Sequence, residues 1–276
     1  MPHAVLFAQP INKSLQNSVE ALVKDYKGDI GVYVKSLKTG KVVQINADTV
    51  FPTASIVKVP ILIGIVNKIN QKELSYHQEE IYNDSMLYAG VDILGSFKNG
   101  EKIELSKLMM LMLSMSDNTA SLWLQKLAGT GTVINNLMQQ NGFVNTSVNS
   151  KTIGRENDRT KYGWGQTTPK EMAFIFEKLY RGEIINDSLS KKMLRLLGRN
   201  YWDEEALSEI PSTIFVASKS GAVDASRNEI LLVMAKEPYI LSVFTKNNKD
   251  QSWEYQNEAW VLTRKLSKIV YKFYSK

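Results

Sequence analysis

The sequence predicts an α+β fold: a five-stranded antiparallel sheet covered by N- and C-terminal helices, joined to a mainly helical second lobe. Three observations carry this. Alternating apolar runs flank a turn at residues 38–40, three more such runs follow one another between 213 and 245, and apolar residues recur at helical spacing from about 55 to 200. Consecutive strands joined by short turns favour antiparallel pairing, so strands from both chain ends are expected to share one sheet. Residues 1–50 and 201–276 then form one discontinuous α/β lobe and residues 51–200 the helical one. The seam between them is the expected place for a site.

Along the chain, residues 13–27 read as a first helix. Ile30-Gly31-Val32-Tyr33-Val34 and Val42-Val43-Gln44-Ile45 flank the turn Lys38-Thr39-Gly40, giving a hairpin by alternation and turn chemistry. Helices are expected over 56–70, 105–115, 120–127, 169–180 and 190–197. Strands follow over 213–220, 228–235 and 239–245, and a closing helix over about 251–274. Gly129-Thr130-Gly131 reads as a helix stop. Pro60, in the second turn of its expected helix, removes a backbone hydrogen bond.

With 276 residues, 43% hydrophobic and 22% charged, the chain can bury a sizeable core, which excludes a disordered tail or a disulfide-stapled mini-domain. It has no cysteine, which removes thiolate nucleophiles, iron–sulfur clusters and cysteine-ligated zinc. Of its two histidines, His3 lies in a terminus expected to fray, so a Ser-His-Asp triad or a histidine metal site would rest on His77. Proton chemistry is therefore expected to run on lysines, hydroxyls and carboxylates, without metal or cofactor.

The net charge is +6, but the basic residues are dispersed. Arg264, Lys265, Lys268, Lys272 and Lys276 read as the wet face of the closing helix, and no nucleic-acid partner is expected. The apolar stretches 59–66 and 108–113 are too short to span a bilayer, so no membrane span is expected. Ala4-Val5-Leu6-Phe7-Ala8 lacks a basic flank and is too short for a complete signal peptide, though it suits the tail of a trimmed one.

Three short motifs carry candidate chemistry. Ser55-Ile56-Val57-Lys58 opens a helix that is apolar on nearly all sides, and its two polar residues share a face. Burial and the helix N-terminus both lower the Lys58 pKa, toward an amine that can take the serine proton. The bland alternative is a capping serine beside a snorkelling lysine. Ser116-Asp117-Asn118 tops the apolar run 108–113, as a cap or as a catalytic group. Lys219-Ser220-Gly221 lies in or just after a buried strand, where Gly221 permits close backbone approach; the alternative is an edge-strand lysine placed against aggregation. The second copies of two motifs, at Ser188-Leu189-Ser190-Lys191 and Lys38-Thr39-Gly40, read as a surface helix start and a hairpin turn.

In order, Phe51-Pro52-Thr53-Ala54-Ser55-Ile56-Val57-Lys58, then Ser116-Asp117-Asn118, then Thr167-Thr168-Pro169, then Lys219-Ser220-Gly221-Ala222 resemble the signatures of class A serine β-lactamases. The wider superfamily of penicillin-binding serine DD-peptidases shares three of the four. The resemblance covers nearly the whole chain and implies a β-lactamase-like fold, a periplasmic or secreted monomer, and a small β-lactam or acyl-peptide substrate. It implies roles as well. Ser55 would be the nucleophile and Lys58 its base, with the Ser55 and Ala222 N–H groups binding the oxyanion. Ser116 would protonate the leaving nitrogen, Asn118 would hold the acylamino side chain, and Lys219, Ser220 and Arg227 would hold the substrate carboxylate.

One departure stands out. Class A enzymes place a glutamate, and an asparagine four residues later, in the loop before the Thr-x-Pro segment. Counting back without gaps from Pro169 puts Thr152 at the glutamate position and Glu156 at the asparagine position. Glu156 is then either a substitute base reaching the same water or an exposed carboxylate paired with Arg155 or Arg159. Without a base, acylation proceeds and deacylation stalls. The alternative function is accordingly a DD-peptidase, an esterase or an acyl-trapped sensor. Tyr88 is a candidate wall of the site.

Overall fold

The computed structural model describes residues 9–88, 90 and 93–276; His3, the 4–8 stretch and part of the segment around Tyr88 lie outside them. The elements in order are α1 (Lys13–Val23), β1 (Asp29–Ser36), β2 (Val42–Ile45), β3 (Phe51–Pro52), α2 (Lys58–Asn70), β4 (Glu79–Ile81), β5 (Lys102–Glu104), α3 (Leu105–Ser114), α4 (Asn118–Leu127) and α5 (Thr130–Gln140). They continue with β6 (Ser147–Val148), α6 (Glu156–Tyr162), β7 (Gly165–Thr167), α7 (Pro169–Arg181), α8 (Asp187–Leu197), β8 (Val216–Val223), β9 (Ser226–Val233), β10 (Tyr239–Lys246) and α9 (Glu258–Tyr274).

The expected five-stranded sheet is present, in the order β2-β1-β10-β9-β8, with antiparallel pairing throughout. Strand β9 shows how its faces are used. Leu231 and Val233 pack with Leu15, Val19, Leu262, Leu266 and Val270 of α1 and α9, whereas Ile230 and Leu232 join the core shared with α2, α3 and α7. A sheet covered on both faces needs apolar residues at successive positions of its inner strands, and each fully buried aliphatic side chain contributes roughly 1.5–3 kcal/mol.

Several boundaries differ from the sequence reading. The helix expected from residue 56 opens as a 3₁₀ turn, Ala54–Val57, before α2 begins at Lys58. Pro60 thus sits in the first turn of α2, where its missing N–H would have no intrahelical acceptor, and no hydrogen bond is lost there. Strand β8 starts at Val216 and runs through Lys219-Ser220-Gly221 to Val223, so this motif lies inside the strand. Helix α9 begins later than expected, at Glu258, because the Asn257 side chain accepts from the Ala259 and Trp260 N–H groups and caps it. Gly129, at φ +93°, stops α4 as expected, but α5 follows at once. Helix α6 and the small sheet β3-β7-β6 leave no mark in the periodicity, being too short to show a period.

Candidate active site

The serine turn is held against the sheet at one point of close approach. A Cβ on Gly221 of β8 would lie 2.6 Å from the Thr53 carbonyl oxygen and 2.8 Å from Ser55 N, so only glycine lets β8 reach the backbone of the Ser55 turn. Asp117 fixes the opposite wall. It is fully buried; Oδ1 accepts from Ala120 N at 2.7 Å and caps α4, and Oδ2 accepts from Ile93 N at 2.6 Å and Leu94 N at 3.2 Å. Ser116, just before it, has φ +60°, a left-handed conformation that this anchoring sustains.

Lys58 stands at the centre, with no exposed surface. Its Nζ lies 3.0 Å from Ser55 Oγ, 2.9 Å from Ser116 Oγ, 2.5 Å from the Ser116 carbonyl oxygen and 3.0 Å from Asn118 Oδ1. Burial holds its pKa well below the ordinary lysine value; the charge of Lys219 lowers it further and Asp117 opposes both. A neutral amine has two N–H donors and one lone pair. Ser116 O and Asn118 Oδ1 can only accept, so they take the two donors, and the lone pair is left for a serine hydroxyl. Lys219 is also fully buried; burial pushes it down to about 7 against the pull of Glu229, and its Nζ donates to the Ser220 carbonyl at 2.9 Å.

Two cavities meet at Ser55 and Asn118. One, of about 530 Å³, is walled by Tyr88, Trp164, Gly163 and Val223; the Tyr88 and Trp164 rings stand edge to face at 4.9 Å. The other, of about 520 Å³, is lined by Ser116, Ser220, Trp202 and Glu229 among others. Ala222 lines both. Ser55, Lys58, Ser116, Asn118, Lys219, Ser220 and Ala222 are therefore brought together.

Three residues named from the sequence are placed elsewhere. Thr152 is buried, its Oγ1 donating to the Ser150 carbonyl at 2.9 Å, and it packs against Gly131 so tightly that a Cβ there would strike it. Glu156 is exposed as the first residue of α6, where Oε1 accepts from Gly154 N at 3.2 Å. Arg155 pairs with Asp158 instead, at 2.9 Å. Neither Thr152 nor Glu156 lines a cavity; the cleft-facing part of this loop is Lys161-Tyr162-Gly163-Trp164. Arg227 is wholly buried. Its guanidinium lies over Trp253 and Trp260, 4.3 and 4.7 Å from the ring centroids, and donates to the carbonyls of Val223, Asp224, Ser226 and Ser252. Its terminal nitrogens donate inside the wall, Nε is buried without a partner, and Arg227 lines neither cavity, so it does not reach the cleft as the resemblance implied.

His77 is exposed beside the β4–β5 pair, with Nδ1 2.8 Å from Glu104 Oε1, and lines neither cavity. Residues that sequence reasoning missed include Trp164, Trp202, Trp253, Trp260 and Glu229. Only Glu229 carried a sequence signal, as a carboxylate beside the apolar run 230–233 of a buried strand.

The beta-lactamase enzyme family model matches residues 13–274. Among curated relatives, the chain is 23% identical to β-lactamase VEB-1 of Pseudomonas aeruginosa, over 90% of this chain and 87% of that enzyme. It is 22% identical to the extended-spectrum β-lactamase PER-1 of the same organism, over 94% and 87%. Among solved structures, a point mutant of PBP-A, in an acyl-enzyme complex with penicillin G, superposes with a TM-score of 0.85 at 21% identity, covering 97% of this chain and 98% of that one. TLA-3 extended-spectrum β-lactamase gives 0.85 at 19%, covering 96% and 99%. The chain belongs to the beta-lactamase enzyme family, as a serine β-lactamase-type hydrolase.

Proposed function

We propose that Ser55 opens a β-lactam ring, or attacks an acyl-peptide of like shape, to form an ester that is hydrolysed slowly. The observation that carries this is the buried, desolvated Lys58 amine within 3.0 Å of Ser55 Oγ and 2.9 Å of Ser116 Oγ. The lone pair takes the Ser55 proton as the Oγ–C bond forms, with the Ser55 and Ala222 N–H groups binding the oxyanion. The resulting ammonium passes a proton to Ser116 Oγ, whose own proton goes to the lactam nitrogen as the C–N bond breaks. Lys58 ends neutral.

In this reading Asn118 keeps Oδ1 on Lys58 and offers its amide N–H to the acylamino carbonyl, while Lys219 and Ser220 face the substrate carboxylate. The buried position of Thr152 and the exposed one of Glu156 support slow deacylation, since neither residue supplies a base at the cleft. The reading implies work outside the cytoplasm, where such substrates are met. Among the described residues no helix is long and apolar enough to cross a membrane.

The test is intact-mass spectrometry after mixing with penicillin G, with peptide mapping and nitrocefin turnover alongside. One penicillin per chain, mapped to Ser55 and absent in Ser55→Ala, is the expected result. No adduct together with no turnover overturns it.

A further inference from the structure

We propose that Trp202 is a positioning residue for protonation of the leaving group: its indole N–H holds the Met115 carbonyl, and through it the backbone that aims Ser116 Oγ. The proposal rests on the role given to Ser116 above.

The turn that carries Ser116 follows the end of α3, where a helix leaves carbonyls with no intrahelical N–H to meet them. Three successive carbonyls are taken there by three different donors. Tyr201 N donates to the Ser114 carbonyl at 3.1 Å, Trp202 Nε1 to that of Met115 at 2.9 Å, and Lys58 Nζ to that of Ser116 at 2.5 Å. The last donor is itself a reacting group. The first two come from one stretch, residues 200–202, which lies between α8 and β8.

Ser116 needs this hold. At φ +60° it occupies the left-handed region, which a residue with a Cβ keeps only when its surroundings enforce it. On its C-terminal side, Asp117 is fixed by the N–H groups of Ile93, Leu94 and Ala120. On its N-terminal side, the Met115 carbonyl and the Ser116 N–H share one rigid peptide plane. Fixing the Met115 oxygen therefore fixes the plane from which Ser116 φ is turned, and Trp202 is the side chain that does so.

Apolar packing does not account for this tryptophan. It is 41% exposed and joins neither apolar core; its ring meets only that of Tyr201, edge to face at 5.3 Å. Its polar end is the part directed inward. The stretch is also tied to the sheet: Asn200 Oδ1 accepts from Trp202 N at 3.1 Å, and Asn200 Nδ2 donates to Ser218 Oγ at 3.3 Å, one residue before Lys219. The Ser116 turn and the strand that bears Lys219 thus share one support. Trp202 also lines the cavity with Ser116 and Ser220, so its N–H and its surface have to be tested apart.

The test is a double-mutant cycle on the second-order rate of Ser55 acylation by penicillin G, followed by intact mass. At position 202 alone, the indole is replaced by benzothiophene, which keeps the shape and removes the N–H. In the parent protein this should slow acylation by about tenfold. In Ser116→Ala, where the group to be aimed is gone, the same replacement should cost no more than about twofold. 5-Fluorotryptophan, which keeps the N–H, should restore the parent rate. Should the benzothiophene protein fail to fold, Trp202→Phe decides in the same cycle.

Where Ser116→Ala reacts too slowly to time, the nitrophenyl ester of phenylacetylglycine replaces it. As that C–O bond breaks, the electron pair leaves on the phenolate oxygen and Lys58 keeps the proton taken from Ser55, so no proton passes through Ser116. The benzothiophene protein should then match the parent on the ester and lag only on penicillin G. Equal slowing in both arms of either comparison overturns the proposal, as does a parent rate for the benzothiophene protein on penicillin G. Either result, with the parent protein acylated, contradicts Trp202 alone. No adduct in the parent contradicts the Ser55 chemistry itself.

Discussion

Lys58 and Ser116 meet twice: Lys58 Nζ lies 2.5 Å from the Ser116 carbonyl oxygen and 2.9 Å from its hydroxyl. The carbonyl fixes one N–H of the amine, so that in the proposed mechanism the hydroxyl is its partner for proton exchange. Ser116 reaches this position only with φ +60°, which ties the proton relay to the local backbone.

The first expectation follows for pH. In the proposed mechanism Lys58 must be neutral to act, and its lowered pKa means that the neutral form is lost only as pH falls through that lowered value. Lys219 must be cationic to hold a carboxylate, and it loses its charge as pH rises through about 7. The second-order acylation rate with penicillin G should therefore be bell-shaped, with a falling limb near 7. Lys219→Arg should move that limb to about 9 or above, because a guanidinium stays charged there. A flat profile in the parent protein from about pH 7 to about 9 contradicts the assignment of Lys219.

Gly221→Ala would place a methyl 2.6 Å from the Thr53 carbonyl oxygen and 2.8 Å from Ser55 N, forcing β8 away from the serine turn. Loss of oxyanion alignment is expected to slow acylation by about 10²-fold. Stopped-flow acylation with a fluorescent penicillin, beside a thermal melt, separates this from unfolding. A change below about threefold shows that β8 does not need that approach.

Asp117 holds three backbone N–H groups from two segments with a buried carboxylate. Asp117→Ala leaves those donors unpaired and should lower unfolding stability by roughly 3 kcal/mol or more. Urea denaturation measures it. A loss under about 1 kcal/mol would mean that water or another group satisfies them.

Glu156→Gln should leave the lifetime of the penicillin adduct unchanged within about twofold, because the carboxylate is exposed and lines neither cavity. Chase of the preformed adduct by mass spectrometry gives the lifetime. A lifetime longer by about tenfold would restore Glu156 as a base.

The fold and the reactive centre were legible for a physical reason. The sheet and long helices bury whole faces, which leaves a period, and the Ser55–Lys58 pair stood out as polar residues at the head of a stretch apolar on nearly all sides. The 151–164 loop was not legible. Gap-free counting fixes Thr152 in sequence but not the direction of its side chain, which packing against Gly131 decides. Arg227 likewise matched a pattern, yet Trp253 and Trp260, contributed by a distant stretch of chain, capture its guanidinium. Glu229 is informative only through its surroundings, where Ala206 satisfies one of its oxygens and the other is left without a partner.

The most direct measurement is the time course of intact mass after a stoichiometric addition of penicillin G at neutral pH. One adduct on Ser55 should form and persist, while Lys58→Ala forms none. Rapid return to the unmodified mass in the parent protein would contradict slow deacylation, and an adduct formed at the parent rate in Lys58→Ala would contradict Lys58 as the base.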